Sequence, residues 1–569
     1  MSAIGGIYSP EEGLDVAGAL SVLAAGLESR GPDCGSSVVG RGSLGLVFRG
    51  CATDLESVDE RQPVALSNGD LLVWDGRLDN RKQLISELKQ LICDLPLASP
   101  LRGAQSFASS ERARQIHPTS ADEVGDAFLV MAAFQKWGPE FLRQLLGDYA
   151  LALWDSSEKT VHLARDPIGV RPLFYGKHHD LWVWSSSITP LTKLLPIGDQ
   201  VDEEYAAGFL MGSETDDRTP YPSIKNVRAG EVIAIKMARA VARRHWMPSI
   251  DKKLQYKSDT EYEELFRQLF RDAVACRLRA SGAVFAELSG GLDSSSVVCV
   301  AHELISSGAV QASSLWTVSY LYDGSSSCDE REYREAVEEK IGQRGVHLRD
   351  DRILDMSLPS VEGPIPNPMQ AFAGLNSQTV QAMEQAGASV ILSGYAGDHV
   401  LVNDYTTIVP ILEMVSDKKF LAMLRLMNDF VRVGGESYIS VAWKTAWPYV
   451  PTIMRRIVEP QSSGVPPWLN RKFAYRTGLP TRKVIRSEAR TIHNMGKARQ
   501  YTLVLNAISQ VSSGYYRERG CAEPAFPYLH RPLVEFLLSI PSAQLFRPGE
   551  NRNYSCIVIH QHVISGIPG

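Results

Sequence analysis

Three short and solidly apolar runs alternate with helical periods in the second half of the chain, and this alternation constrains the fold most. The runs are AVFAEL at 283–288, SLWTVSY at 314–320 and ASVILS at 388–393. Strands that are apolar on both sides must be covered on both sides, as they are in a parallel sheet packed between helices. The sequence therefore predicts an α/β domain with a parallel sheet over 256–569, with additional helices after residue 400.

A helix is predicted to open this domain at Ser258. Thr260 and Glu263 have the spacing of a capping box, and apolar residues follow at helical spacing from Tyr262 to Val274. Ahead of this helix, residues 1–205 contain short apolar runs such as LLVWDGRL and YALALWD, bounded by turn residues. They predict an α+β domain with stacked sheets, and 206–255 is assigned to connecting strands and a linker.

Charge and cysteine usage exclude several classes of protein. The net charge of −6 over 569 residues argues against a nucleic-acid or membrane partner. Eight cysteines are scattered without a CxxC pair, which favours reduced thiols. No basic segment precedes an apolar run at the start, and no apolar run has the length of a membrane span. A cytoplasmic protein is expected.

The stretch SGGLDSSS at 289–296 follows the first apolar strand directly. Gly290 and Gly291 let backbone N–H groups approach phosphate oxygens, and the next helix presents its positive end. Asp293 supplies a carboxylate for a divalent cation. The hydroxyl donors of the loop are Ser289, Ser294 and Ser295. A Walker loop is excluded because no lysine lies in the loop. A bare Gly/Ser turn that caps a helix is the alternative, but the position between strand and helix favours a phosphate loop.

The motif SGGLDSS resembles the pyrophosphate loop of enzymes that adenylate a substrate with ATP, in the form found in the asparagine synthetase family. Other segments resemble that family in the same order: RGPD at 30–33, GDYALALWDSSEKTVHLARDPIGVRPLFYG at 147–176, CDEREYREA at 328–336 and EPAFPYLHRPLVEFLLSIP at 523–541. The resemblance implies an N-terminal Ntn-hydrolase-like αββα sandwich and a C-terminal PP-loop ATP-pyrophosphatase domain, with ATP and Mg²⁺ as cofactors.

The resemblance also implies site residues at the ends of the other strands. In SGYAGDHV at 393–400, Asp398 occupies the family's second metal-binding position beside Asp293. The implied nucleotide contacts are Ser393, Gly394 and the backbones of Leu288 and Val318.

Three residues are catalytic candidates. Tyr395 resembles the tyrosine of β-lactam synthetases that helps to deprotonate an attacking amine, although a tyrosine that lines the pocket is the alternative. His399 completes a G-D-H sequence similar to that of lasso-peptide cyclases, or it is a structural hydrogen-bonding residue. The family's C-terminal lysine is missing, because no lysine follows Lys497, and Arg547 and Arg552 are the nearest cations. Arg552 is the candidate replacement.

The N-terminal half departs from the glutamine-using members of the family. Those enzymes begin with a nucleophilic cysteine, whereas this chain begins Met1-Ser2-Ala3. Their Asn-Gly-Glu glutamine motif reads Asp75-Gly76-Arg77 here, so an acid stands where an oxyanion donor is needed. We expect glutamine hydrolysis to be lost and this domain to serve as a scaffold.

Without ammonia from glutamine, another amine must attack. The resemblance therefore favours a lasso-peptide cyclase, in which a side-chain carboxylate of a precursor peptide is adenylated and captured by the peptide's own N-terminal amine. The implied partners are that precursor peptide, a leader peptidase and a leader-binding protein. The alternatives are a β-lactam synthetase, an ammonia-dependent asparagine synthetase, and an inert binding protein. The basic stretch 471–499, with nine Lys or Arg and one acid, is either a solvated surface or a docking surface for an acidic peptide or for phosphate.

Overall fold

The computed structural model describes residues 2–11, 16–39, 43–54, 57, 60–98, 105–106, 124–210, 217–280, 282–321, 330–349, 373–401, 408–434, 437–450, 454, 468–478, 492–512 and 522–545. Arg547, Arg552 and part of the basic stretch, 479–491, lie outside these residues.

Two antiparallel sheets form the N-terminal half. The first has seven strands in the order β11-β9-β10-β1-β3-β2-β6. Its strands are β1 Ala3–Ser9, β2 Cys34–Val39, β3 Ser43–Gly50, β6 Gln105–Ser106, β9 Phe174–His178, β10 Leu181–Ser185 and β11 Ile224–Asn226. The second has six strands in the order β13-β12-β8-β7-β5-β4. They are β4 Val64–Ala65, β5 Leu71–Leu78, β7 Gly147–Asp155, β8 Thr160–Arg165, β12 Glu231–Lys236 and β13 Arg239–Arg244.

Helices cover the outer faces of both sheets. The helices of this half are α1 Ala17–Gly26, α2 Arg81–Asp94, α3 Asp126–Trp137, α4 Ile188–Leu194 and α5 Glu203–Leu210. The α1 and α4 side chains pack on the first sheet, and the α2 and α3 side chains pack on the second. A third apolar cluster, which includes Ile4 and Trp184 from the first sheet and Val73 from the second, fills the space between the sheets. The predicted αββα sandwich is thus confirmed.

The strands within 206–255, assigned from sequence to a connecting segment, extend these sheets instead. β11 pairs with β9 at the edge of the first sheet, and β12 pairs with β8 in the second. β11 and β12 pair with the hydrogen-bonding edges of β9 and β8. The paired strands are separated by roughly 60 residues of chain, so local sequence patterns do not reveal the pairing.

A five-stranded parallel sheet in the order β16-β15-β14-β17-β18 forms the core of the C-terminal half. Its strands are β14 Ala283–Glu287, β15 Ser314–Leu321, β16 Val346–Arg349, β17 Val390–Leu392 and β18 Glu523–Ala525. The chain builds outward from β14 to β16 and then returns to the other side of β14. The sheet therefore has a topological switch point between β14 and β17, the place where ligands bind in open α/β sheets.

The helices of this half are α6 Asp259–Arg277, α7 Leu292–Ser306, α8 Arg331–Ile341, α9 Ala373–Gln385, α10 Gly397–Val400, α11 Val409–Ser416, α12 Phe420–Gly434, α13 Tyr438–Ala446, α14 Arg471–Arg476, α15 Met495–Ser512, α16 Arg531–Ser539 and α17 Ser542–Leu545. The capping box that opens α6 consists of Ser258 and Glu261, not of Thr260 and Glu263. Among the helices that the structure describes, none is long and apolar enough to cross a membrane.

Candidate active site

The loop that follows β14 turns sharply into α7. Gly290 has a φ of +100°, and a Cβ at this position would lie 2.5 Å from the backbone oxygen of Glu330. A side chain here would therefore strain the backbone and collide with the residue that precedes α8. At the N-cap of α7, Gly291 has no side chain to occupy the first N–H groups of the helix. An anion can therefore approach the backbone N–H groups of the loop closely and lie at the positive end of the helix, as an anion site requires.

Serine side chains hold the loop in place. The Ser294 hydroxyl accepts a hydrogen bond from the Ser289 backbone N–H at 3.2 Å, and the hydroxyls of these two serines lie 3.0 Å apart. The hydroxyl of Ser295 is buried and has no hydrogen-bond partner in the part of the chain that the structure describes. Buried hydroxyls usually have a partner, so the Ser295 hydroxyl suits a site that takes a phosphate oxygen.

The loop after β17 lies directly against the loop after β14. A Cβ on Gly394 would lie 2.7 Å from the backbone nitrogen of Ser294, and a Cβ on Gly397 would lie 2.4 Å from Cγ of Asp293. Between the two glycines, Ala396 adopts the left-handed conformation with a φ of 74°. The close approach of the two loops depends on these glycines.

The segments that carry the two predicted metal ligands meet at this contact. Asp293 lies in the first turn of α7, and Asp398 follows Gly397 in the first turn of α10. Asp293 is half-buried and Asp398 is exposed, so both can reach a ligand from solvent. The pair fits Mg²⁺, which takes one or two carboxylates together with substrate phosphates.

The two predicted adenosine contacts pair with each other. Leu288 donates its backbone N–H to the Val318 carbonyl at 2.8 Å, and the Ser319 hydroxyl donates to the Leu288 carbonyl at 2.6 Å. Ser393 donates from its hydroxyl to Oε2 of Glu287 at 2.6 Å and fixes the ends of β14 and β17 to each other. These hydrogen bonds hold together the carboxyl ends of the strands around the switch point.

Tyr395 and His399 lie side by side, with ring centroids 5.6 Å apart. The Tyr395 hydroxyl donates a hydrogen bond to Oε1 of Gln510, a residue of α15 that sequence reasoning did not single out. His399 is half-buried, and its Nδ1 has no hydrogen-bond partner among the described residues. Burial lowers the pKa of His399, although the charge of Asp398 opposes that shift. The neutral form of His399 is therefore favoured at pH 7.

Two domain families match the chain in sequence order. The family described as "Glutamine amidotransferase domain" matches residues 113–246, and the family described as "Asparagine synthase" matches residues 265–418. The second match contains both glycine loops and both carboxylates of the site. The chain belongs to the asparagine synthetase family.

Relatives in this family are distant. Asparagine synthetase (glutamine-hydrolyzing) 3 of Bacillus subtilis strain 168 is 28% identical over 48% of this chain and 41% of its own length. A putative asparagine synthetase (glutamine-hydrolyzing) 2 of Methanocaldococcus jannaschii is 25% identical over 48% of this chain and 53% of its own length. Amidase chry2 of Gibberella zeae is 24% identical over 48% and 42%. The chain therefore matches about half of these relatives' length, or less.

Solved structures give a weaker likeness. The glutamine phosphoribosylpyrophosphate amidotransferase from B. subtilis, complexed with ADP and GMP, has a TM-score of 0.28 at 16% identity and covers 69% of this chain and 81% of its own. A TM-score this low carries no argument about fold or function.

The residues of the N-terminal site differ from the family pattern. Ser2 lines a small cavity together with Cys51, whose backbone N–H donates to the Ser2 hydroxyl at 3.1 Å. Asp75 lines the same cavity, is fully buried, and lies 3.6 Å from the guanidinium of Arg171. Burial raises the pKa of Asp75, with Arg171 opposing that rise. The cavity therefore has a carboxyl group where the family motif has an amide donor.

Arg77, the third residue of the changed motif, is not among the residues that line this cavity, and it contacts the C-terminal half of the chain. It donates a hydrogen bond to the carbonyl of Cys276 at the end of α6, and it lies 3.7 Å from Glu523 on β18. Arg171 approaches the same Glu523 carboxylate at 2.6 Å. Burial alone would raise the pKa of Glu523, but Arg171 and Arg77 outweigh it, so its pKa lies well below the ordinary range.

A second set of buried charges completes this contact between the domains. Arg277 of α6 donates to the carboxylate of Asp79 and, at 3.0 Å, to that of Asp148. Burial would raise the pKa of Asp79, but Arg277 lowers it to about 2. Sequence reasoning missed these pairs. The charged positions in the apolar strand β5 were the available signal, but their partners lie up to 450 residues away.

Asp79, Cys276 and His530 are the group of potential metal ligands that stands out in the described chain. Arg277 already contacts both Asp79 and the Cys276 sulfur, the latter at 3.7 Å. Burial raises the pKa of the Cys276 thiol to about 12 and lowers that of His530 to about 4. The thiol is therefore protonated at neutral pH, and a guanidinium already supplies the positive charge. The group does not fit a metal ion.

Lys497 is a structural residue. It is buried, and its ammonium donates to Gln500 Oε1 at 3.0 Å and to the carbonyls of Leu538 and Ile540 at 3.1 and 2.5 Å. These bonds anchor α15 to the end of α16.

Proposed function

We propose that the chain is an ATP-dependent, amide-forming ligase that releases AMP and pyrophosphate. A substrate carboxylate oxygen attacks the α-phosphorus of ATP, and the bond to pyrophosphate breaks. An amine nitrogen then attacks the activated acyl carbon, the bond to AMP breaks, and the amine's proton is transferred to the enzyme. The observation that carries this proposal is the contact between the loops after β14 and β17, which brings the segments of Asp293 and Asp398 together.

The two loops divide the work. The N–H groups and hydroxyls of 289–295 would hold the ATP phosphates, and Asp293 and Asp398 would hold Mg²⁺. When bound, that ion neutralises charge on the phosphates. The rest of catalysis comes from holding the carboxylate and the amine in line and away from water.

His399 would accept the proton of the attacking amine. Burial favours the neutral imidazole, which has one nitrogen able to accept a proton, and the position of His399 beside Asp398 puts it at the same rim. The Tyr395 hydroxyl keeps its proton while it donates to the neutral amide of Gln510, so Tyr395 would orient the amine instead. If His399 is the acceptor, His399→Gln abolishes amide formation while pyrophosphate release persists. Tyr395→Phe would then raise KM more than it lowers kcat. The reverse pattern would assign the proton transfer to Tyr395.

More specifically, the attacking amine would belong to the same molecule as the activated carboxylate. The chain would close a macrolactam between a side-chain carboxylate of a precursor peptide and its N-terminal amine, as a lasso-peptide cyclase does, with a leader peptidase and a leader-binding protein as partners. Ser2 supports an amine source other than glutamine, because its hydroxyl is a far weaker nucleophile than a thiolate, and the buried Asp75 replaces the amide of the family motif in the same cavity. The five described cysteines, all free, support a reducing, cytoplasmic location.

Pyrophosphate release tests the proposal. The protein is incubated with Mg²⁺, ATP and synthetic peptides that have a free N-terminal glycine and an internal Asp or Glu. Release that depends on such a peptide, with loss of one water mass from the product, is expected. The matched control peptide has an acetylated N-terminus, which blocks ring closure but leaves the carboxylate. Absence of release with every carboxylate substrate would contradict the ligase assignment.

An ammonia-dependent asparagine synthetase is the second candidate. The bacterial and archaeal relatives are named as glutamine-hydrolyzing asparagine synthetases, which favours aspartate as the substrate, and Ser2 in place of the cysteine favours free ammonia over glutamine. Pyrophosphate release with aspartate and ammonium, and none with peptides, would select this candidate over the cyclase.

A further inference from the structure

The α12 helix has apolar side chains on two sides. One side is buried, where Phe430 packs with Ile411 of α11 and Val441 of α13. The other side is exposed: Leu421 is 76% and Leu424 is 56% accessible. A surface helix normally has one apolar stripe, and a second exposed stripe indicates a binding surface.

The exposed stripe continues onto α13. Leu421, Leu424 and Asn428 have i, i+3, i+7 spacing and share one face of α12. The Tyr438 hydroxyl donates to Oδ1 of Asn428 at 2.7 Å, so the first turn of α13 adjoins that face. Ile439 beside it is 82% accessible. We call the surface formed by Leu421, Leu424, Tyr438 and Ile439, with Arg425 and Arg432 at its border, the α12–α13 face.

Basic side chains border this face. Arg425 and Arg432 have i, i+7 spacing, so they lie on one line along α12, and both are exposed. Neither has an ion-pair partner within the described ranges. From 418 to 444 the sequence has five Lys or Arg and two acids, a net charge of +3 from 5 − 2. Two such faces would repel each other, so a second copy of this chain is disfavoured and an acidic partner is favoured.

From this combination we propose that the α12–α13 face docks an acidic amphipathic segment of the peptide substrate. The leucines and Ile439 bury the apolar side of the segment, and Arg425 and Arg432 pair with its carboxylates. That the docked segment belongs to the substrate rests on the proposed function, whereas the binding of an acidic amphipathic segment does not.

Fluorescence anisotropy of the full chain with a labelled probe tests the docking. The probe is a synthetic peptide of about 14 residues with Leu at i, i+3, i+4 and i+7 and Glu elsewhere, long enough for marginal helicity. Its matched control has Lys in place of every Glu. We expect the Glu peptide to bind at least about tenfold more tightly than the Lys peptide, and added salt to weaken that binding.

Variants identify the surface. The double variant Leu421→Gln, Leu424→Gln should weaken the Glu peptide by at least about tenfold, because two apolar contacts are lost. The double variant Arg425→Glu, Arg432→Glu should exchange the preference, so that the Lys peptide binds better. Val241→Gln on the edge strand β13, which is 63% accessible, is the control and should change nothing.

Four outcomes would overturn the docking proposal: equal binding of both peptides, no binding, binding of phosphatidylserine vesicles but not of the Glu peptide, or a dimer in sedimentation that Leu421→Gln, Leu424→Gln dissolves. Absence of docking in the unaltered protein, together with intact ligase activity, refutes this inference alone. Intact docking without ligase activity refutes the proposed function alone.

Discussion

Replacing Glu523 with Gln tests whether buried charges join the two domains. Glu523 is 1% accessible, and its carboxylate faces Arg171 at 2.6 Å and Arg77 at 3.7 Å. The substitution keeps the shape and removes the negative charge. Arg77 retains Asp79, and Arg171 retains Asp75 at 3.6 Å, so each keeps one weaker partner. Leaving a buried charge with no partner costs about 3–5 kcal/mol, and because these weaker partners remain we expect a loss of unfolding free energy near the lower end of that range.

The pH dependence of this loss has a definite sign. The folded-state pKa of Glu523 is lowered, so its stabilising contribution is complete above the ordinary glutamate pKa of about 4.3. The contribution disappears only as the pH falls from there through the lower folded-state pKa. The difference between wild type and Glu523→Gln should therefore be the same at pH 7 and pH 6.

Urea unfolding followed by tryptophan fluorescence and circular dichroism measures the effect. We expect the variant to show an earlier transition in which the domains separate. Glu158→Gln, which removes an exposed pair with Lys236, is the matched control and should have little effect. Adding Arg171→Gln to Glu523→Gln should cost less than the sum of the single changes, because the two charges are coupled. A loss under about 1 kcal/mol, the value of a surface pair, would refute the reasoning.

Three further predictions follow from single sites. Burial, with Asp126 nearby, raises the pKa of Glu60 to about 8. The unfolding free energy should therefore fall by about 1.4 kcal/mol per pH unit as the pH rises from about 5 to 8. Glu60→Gln should remove that slope when unfolding is measured as a function of pH. Gly397→Ala puts a Cβ 2.4 Å from Cγ of Asp293 and should abolish Mg²⁺-dependent ATP binding in calorimetry, whereas Gly18→Ala, whose Cβ enters open space, should not. Ser2→Ala should leave amide synthesis unchanged, and loss of product would contradict the scaffold role of the N-terminal domain.

The local elements of the site could be predicted from the sequence. Continuous apolar runs predict buried parallel strands, and the glycines and serines after the first run predict a phosphate loop. The strands and the loop could be predicted because each depends on residues close together in the sequence. A continuous apolar run indicates a buried strand, and glycine allows the backbone conformation of a tight turn. The strands β11 to β13 were assigned to a segment of connecting strands and linker, because the strands that β11 and β12 join, β9 and β8, lie far earlier in the chain.

Other properties depended on the tertiary structure. Gln510 fixes the hydroxyl of Tyr395, and the environment of His399 leaves its Nδ1 without a partner among the described residues. Arg77 looked like a lost glutamine contact and is instead a buried partner of Glu523. The sequence determined by itself which chemical groups are present and which turns they occupy. Only the folded chain decided which groups face one another, because burial and Coulomb interactions act through space between residues that local patterns do not connect.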